Sequence, residues 1–374
     1  MGRVAVGGAL AQRPGYGGHS WALLNYLLGF RELGHEVLFL DRLDADMAPT
    51  AQAREDCVGW LDGVMRGAGL GDSYSLFIDG QAVGLPRRAV VEWVRSADLL
   101  LNVMGFVDDE EVLAASTRNV FLDIDPGFGQ MWRELGLHDS FRGHDAFVTV
   151  GEGIGEDDCL IPTCGIEWVK TPHPIVLAQW PAVEGGARFT SVGSWRGPYE
   201  PVEYGGRRFG LRAHELRKLT ALPSLVEVDI ELALDIDPSD REDREALLAG
   251  GWQLVDPAAV ATDPAAYRRY IQGSLAELMV PKGIYVDARS GWFSERSIAY
   301  LASGKPVLAG DTGFSRRYPS GEGLIAFSGL DEARAGVEAI CAEPGRHARA
   351  AREIAAEHFE ATKVLGRLLE QVAA

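Results

Sequence analysis

The sequence predicts an α/β protein made of two doubly wound domains that face each other across a cleft. Short apolar, β-branched runs alternate with stretches of helical periodicity along the whole chain, the pattern of parallel sheets covered by helices. A Pro- and Gly-rich stretch without clear period, residues 171–187, divides two such series. Size agrees: 374 residues, 47% of them hydrophobic, suit two cores better than one.

Residues 3–8 form a β-branched run that breaks into the Gly-rich GALAQRPGYGGHS, after which 21–33 show apolar residues at helical spacing. Gly34 then stops the helix, and residues 36–40 within HEVLFLD read as a buried strand, completing a βαβ unit. Further strands are expected at 75–78, 99–103, 120–124 and 146–150, with helices at 51–65 and 87–96. After the linker the series restarts, with strands at 189–193, 225–234, 252–255, 284–287 and 307–309. The intervening helices are 212–222, 240–249, 264–279 and one starting at Ser294. Helices at 332–341 and 346–372 end the chain, the last with Ile354, Phe359, Val364 and Leu368 on one face. Domains are placed at 1–175 and 188–355, with residues 356–374 returning to the first.

The 54 Asp and Glu against 36 Lys and Arg give a formal charge of −18, which repels polyphosphate chains and anionic lipid, so nucleic acid is a poor partner. A small anion remains possible, because a few arginines and backbone N–H groups in a cleft outweigh a distant, screened net charge. Cys57, Cys159, Cys164 and Cys341 are too few and scattered for a disulfide framework, and Cys159 and Cys164, lacking a second ligand pair for a metal, read as two buried thiols in a reduced, cytoplasmic chain. The opening MGRVAVGGAL is too short an apolar run for a secretory signal, and no stretch approaches a bilayer-spanning length.

Ligands of open α/β sheets bind outside the carboxyl ends of the strands, so strand-to-helix loops supply the site candidates. The first is Gly15-Tyr-Gly17-Gly18-His19-Ser20. Its glycines let a backbone approach a ligand, and the following helix offers free N–H groups. Its spacing matches neither G-x-G-x-x-G nor a P-loop. The second is Ser290 to Ser297 running into IAYLASGKPVLAGDTGF. Here two neighbouring strand ends would offer the amides of Ser294, Thr312 and Gly313 to a diphosphate, with Arg289 or Arg296 balancing its charge. Glu295 could accept hydrogen bonds from ribose hydroxyls, although the first turn of a helix favours a carboxylate without any ligand.

The run R-S-I-A-Y-L-A-S-G-K-P-V-L at 296–308, followed by Asp311-Thr-Gly-Phe, resembles the nucleotide-sugar site of GT-B glycosyltransferases, where R-x-x-E-x-x-A-x-G-x-P-V leads into a D-x-G turn. Gly17-Gly18 before the first helix, G-H-E-V at the second strand, Gly321-Glu-Gly-Leu after the donor loop and a terminal helix extend the likeness. The motif itself covers roughly 289–327. One position departs: the family's ribose-binding Glu falls on Ala299. The resemblance implies two Rossmann-like domains and transfer of a sugar, of hexosyltransferase type, from a nucleoside diphosphate donor on the second domain. The acceptor, a small molecule or saccharide, would be held by the first, with neither metal nor other cofactor. Donor contacts would then come from Gly17, Gly18, Arg196, Arg289, Ser294, Glu295, Arg296, Asp311, Thr312 and Gly313, with Lys218 a weaker cation. A base would be His19 first and Asp125 second, with His144 and Glu152 also near strand ends. Trp195 and Trp292 flank the donor loops. An epimerase of the same architecture and a non-catalytic nucleotide-sugar binder remain the alternatives.

Overall fold

The computed structural model describes residues 2–373, and their strands fall into two parallel sheets and a small hairpin. The first sheet contains β1 (Arg3–Gly7), β2 (Glu36–Leu43), β3 (Tyr74–Ile78), β4 (Gln81–Gly84), β5 (Leu99–Val103), β6 (Asn119–Asp123), β7 (Ala146–Thr149) and β8 (Trp168–Lys170). Their spatial order is β4-β3-β2-β1-β5-β6-β7-β8, parallel except for β4 at the edge. The second sheet contains β9 (Phe189–Ser194) and, after the antiparallel hairpin β10 (Val202–Tyr204) and β11 (Arg207–Phe209), β12 (Ile230–Asp235), β13 (Gln253–Val255), β14 (Ala276–Met279), β15 (Val307–Gly310) and β16 (Leu324–Phe327). Its order is β13-β12-β9-β14-β15-β16. Strand order reverses at β1/β5 and at β9/β14, the switch points outside which sheets of this kind hold ligands in a crevice.

Central strands are buried along their length, as in β5 (LLLNV) and β15 (VLAG), because helices cover both faces. Helix Gly17–Glu32 shows almost no polar face and is buried from Ser20 to Phe30. It is covered on several sides, since a helix apolar all round must be. Helix Ala361–Ala373 packs on it where Gly29 leaves room for Leu365 and Ala361, and helix Pro264–Gln272 of the second half packs near its start.

Four expectations need correction. Residues 264–279 are not one helix: Pro264–Gln272 is helical, Gly273 caps it, and Ala276–Met279 is β14, a fully buried run whose period cannot separate strand from helix. Residues 284–287 are a helical turn, Gly283–Asp287, entered after Pro281 has ended the strand. The strand expected from 225 begins at Ile230, after a 3₁₀ turn at Leu222–Leu225. The last helix is broken: Pro344–Ile354 runs into a π-helical turn at Ala355–Phe359 before Ala361–Ala373. There the chain crosses back to the first half. Ile175 N–H donates to Phe359 O at 2.7 Å, and Ala361 N–H donates to Ile175 O at 2.9 Å.

Glycines 59, 63 and 67 lie on one face of helix Ala51–Gly67, and the two inside it, Gly59 and Gly63, each cost about 0.8–1 kcal/mol relative to alanine. Nothing packs against any of the three.

Candidate functional site

The two crevices meet at Glu295, the first residue of helix Glu295–Ala302, which Ser294 caps by accepting from Arg296 N–H at 3.2 Å. The first half contributes His173, 3% exposed, whose Nε2 has no hydrogen-bond partner and lies 4.0 Å from a Glu295 carboxylate oxygen. Burial alone would raise the Glu295 carboxyl. The surrounding His173, Arg296 and Arg212 outweigh that and hold it below its ordinary value. Burial pushes His173 down, against the pull of Glu295.

Arg212 stands between the tips of β9 and β14. Its Nε donates to Val280 O at 3.0 Å and its Nη1 to Ser194 O at 3.1 Å. Burial, then the neighbouring Arg296, brings its pKa down to about 10, so it keeps its charge at neutral pH. Lys282, just past β14, holds Asp125 from across the cleft at 2.6 Å and 2.9 Å, and the Tyr285 hydroxyl donates to the same carboxylate.

His19 sits in the first turn of its helix, with Nε2 directed at Ala9 O. A carbonyl only accepts, so Nε2 carries the proton and Nδ1 is the basic atom of the neutral ring. Burial depresses its pKa, Arg13 adds to this, and Glu295 and the Ala9 carbonyl oppose it. The ring is therefore poised neutral. The loop leading to it is pinned by Asp41 of β2, which accepts from Leu10 N–H at 2.8 Å and Ala11 N–H at 2.7 Å.

Burial raises the Asp41 carboxyl to about 7, against its three backbone donors. An acid whose folded pKa exceeds its unfolded one loses stability as pH rises between the two values. Stability should therefore decline from pH 5 to 7 by up to ~1.4 kcal/mol per unit through this group, and Asp41→Asn should flatten that decline. Urea unfolding at several pH values measures it.

The structure redistributes the other sequence candidates. Gly17 and Gly18 serve domain packing, which corrects their reading as donor contacts: a Cβ at Gly17 would fall 2.2 Å from Asp263 O, and one at Gly18 2.8 Å from the Tyr267 ring. The space offered to a phosphate is filled by the second half's own backbone. Gly17→Ala should cost about 1–3 kcal/mol in urea unfolding while leaving nucleotide binding in place. Arg296 is turned inward, 2.6 Å from the fully buried Glu277, and donates to Val192 O at 2.7 Å, so it does not face a diphosphate. Arg196 is taken by Asp240 and is 53% exposed, and Lys218 pairs with Glu215 on the surface. Arg289, at φ 51°, pairs with Asp158 at 3.2 Å.

The two loops expected to grasp a diphosphate do lie together: Gly291 N–H donates to Thr312 O at 2.8 Å and Thr312 Oγ1 to Trp292 O at 2.5 Å. They grip each other, however. Thr312 is fully buried, and Asp311 folds its own turn by accepting from Gly313 N–H at 2.8 Å and Ser315 Oγ at 2.7 Å. Gly313, at φ 98°, allows that turn. Asp125 is bound by Lys282 and Tyr285, which corrects its reading as a free base. Glu152 bonds Tyr318, and His144 lies beside Asn102 at 3.0 Å. Trp195 is buried on Asp243, whereas Trp292 stacks on Tyr285 at 4.3 Å between centroids with its Nε1 unpartnered. Among the described residues no His, Cys, Asp and Glu group could hold a metal ion, and all four thiols are free.

No family model matches the sequence, and no curated protein does. Solved structures do. An α-glucosyltransferase in complex with UDP-glucose and DNA containing an abasic site is 12% identical, with 100% of each chain covered and a TM-score of 0.59. The Anabaena protein HepE, in complex with UDP and glucose, is 11% identical at a TM-score of 0.57, again over 100% of both chains. Sucrose-phosphate synthase from Thermosynechococcus elongatus is 11% identical at 0.58, with 100% of this chain and 99% of that one covered. The chain has the GT-B glycosyltransferase fold. In GT-B terms the cleft joins the two Rossmann-like halves, with Glu295 and Arg212 on the second and His19 and His173 on the first. Sequence reasoning missed Arg212, Lys282 and His173.

Proposed function

We propose that the protein transfers a hexosyl group from a nucleoside diphosphate sugar to a small-molecule or saccharide acceptor, without a metal ion. The observation that carries the reading is a half-buried arginine with no carboxylate of its own, Arg212, beside the helix terminus that holds Glu295. The diphosphate lies against Arg212 at the β9 and β14 tips, where a fixed positive charge meets the negative charge growing on the leaving group. Glu295 accepts hydrogen bonds from donor hydroxyls, and the His173 Nε2–H is within reach of the same ligand. Across the cleft, Nδ1 of neutral His19 accepts the acceptor's proton. A formal charge of −18 opposes a nucleic-acid acceptor for this chain. No described helix is long and apolar enough to cross a membrane, and the free thiols suit the cytoplasm.

Thermal shift against UDP-, GDP- and dTDP-sugars tests the reading. One donor at a hundred times its dissociation constant should stabilise by about 2.7 kcal/mol. Glu295→Gln should weaken that shift. Release of free nucleoside diphosphate should require an acceptor. No shift with any of the three would overturn the proposal.

A further inference from the structure

Helix Gly17–Glu32, helix Ala51–Gly67 and the first turn of helix Pro264–Gln272 enclose a hollow of about 430 Å³. Neither Glu295, Arg212, His19 nor His173 lines it. The volume falls in the range of about 300–1,000 Å³ found for small-molecule sites. Leu24 and Leu28 form one wall, and Gly59, Gly63 and Gly67 the other. A Cβ at any of the three glycines would meet nothing within 4 Å. Glycine in mid-helix is unfavourable and here permits no close packing; its effect is to keep the hollow open.

One cationic side chain lining this apolar space lacks a full set of partners. Arg268 lies over the Trp21 ring, 5.7 Å from its centroid, and spends one guanidinium nitrogen on Gln179. The nearby Asp263 makes no ion pair with it; its carboxylate is turned to Ala265 N–H and Ala266 N–H, each at 2.8 Å. A cation without an ion pair beside an apolar cavity complements an anionic head on an apolar body.

We propose that this hollow binds a small anionic amphiphile, a medium-chain carboxylate in chemical class, at a site separate from the transfer cleft. The chain lies between the leucines and the glycine face, and the carboxylate takes hydrogen bonds from Arg268. The hollow opens to solvent on a chain of formal charge −18, which repels an anionic bilayer and favours a free molecule.

Decanoate is the probe, titrated into the full-length protein by calorimetry and followed by tryptophan fluorescence, with decan-1-ol as the uncharged comparison. The expected result is saturable binding at one site per chain. Gly63→Leu should abolish it, and because leucine is the better helix former and projects into empty space, the variant should melt no lower than wild type. Arg268→Gln should weaken decanoate at least about tenfold and leave decan-1-ol unchanged. Non-saturable uptake, binding that survives Gly63→Leu, or equal loss of both probes in Arg268→Gln would each overturn the proposal.

Discussion

Arg212→Gln is expected to lower the transfer rate by about 10²–10³ while the protein remains folded, the range for removing one group that stabilises charge in a transition state. The guanidinium serves two backbone carbonyls, Val280 O and Ser194 O, and a glutamine amide can still donate to one of them. What it cannot replace is the charge. That charge is held at a cost, since burial pulls the Arg212 pKa down to about 10 and Arg296 adds to the repulsion. Removing it relieves that repulsion in the ligand-free protein and offsets the lost hydrogen bond, so the melting temperature should move by only a few degrees. The donor-induced shift should disappear. Stability and donor affinity thus separate, as they would not for a purely structural arginine. Arg212→Lys, which keeps a charge but loses the fork, should fall between. Product release and thermal shift measured together decide it: a glutamine variant that turns over at the wild-type rate removes Arg212 from the diphosphate.

That Arg212 went unnoticed in the sequence while Glu295 was found has a physical reason. Glu295 follows a cap serine at the start of a helix with an apolar face, a local signal. Arg212 is brought to the site by β9 and β14, and β14 is a fully buried run of AELM that continues the helical pattern of the preceding residues. With that strand read as the end of a helix, the turn Val280-Pro281-Lys282-Gly283 was not a strand end, and Lys282 was invisible as a site residue. Gly273-Ser274 was the overlooked break. His173 was hidden for another reason: it lies in a Pro-rich stretch without clear period, and its neighbours Tyr26 and Glu295 are 147 and 122 residues away in sequence. The hairpin β3–β4 could have been found, because Asp79-Gly80 is the dipeptide that a two-residue turn with two positive φ angles requires. The two-sheet architecture was legible because buried parallel strands write continuous apolar runs. Which side chains meet across the cleft depends on how the halves dock, and no local pattern encodes that. Gly17 and Gly18 show the consequence: glycines that permit close approach look alike whether the partner is a phosphate or Asp263 O.

Arg296→Ala is expected to produce the largest loss of stability, about 3–5 kcal/mol, a substantial part of the ~5–15 kcal/mol that holds a typical domain. The partner, Glu277, is fully buried in the middle of the second sheet, and its second carboxylate oxygen already lacks a hydrogen bond. Burial raises the Glu277 carboxyl, and Arg296 is the leading influence that opposes this. Without the arginine the carboxyl rises further. An acid with a raised folded pKa is destabilising above its unfolded value, so the variant should gain stability on going from pH 7 to 5 more steeply than wild type. The double replacement Arg296→Met with Glu277→Leu should recover most of the loss, because it removes the unpaired charge along with the pair and fills the space with apolar atoms. Urea unfolding of the two single variants and the double variant, at both pH values, measures all of these. The opposite pattern, unfolding like wild type with the nucleotide-induced shift gone, would turn Arg296 outward again and return it to the donor diphosphate that its sequence neighbours suggest.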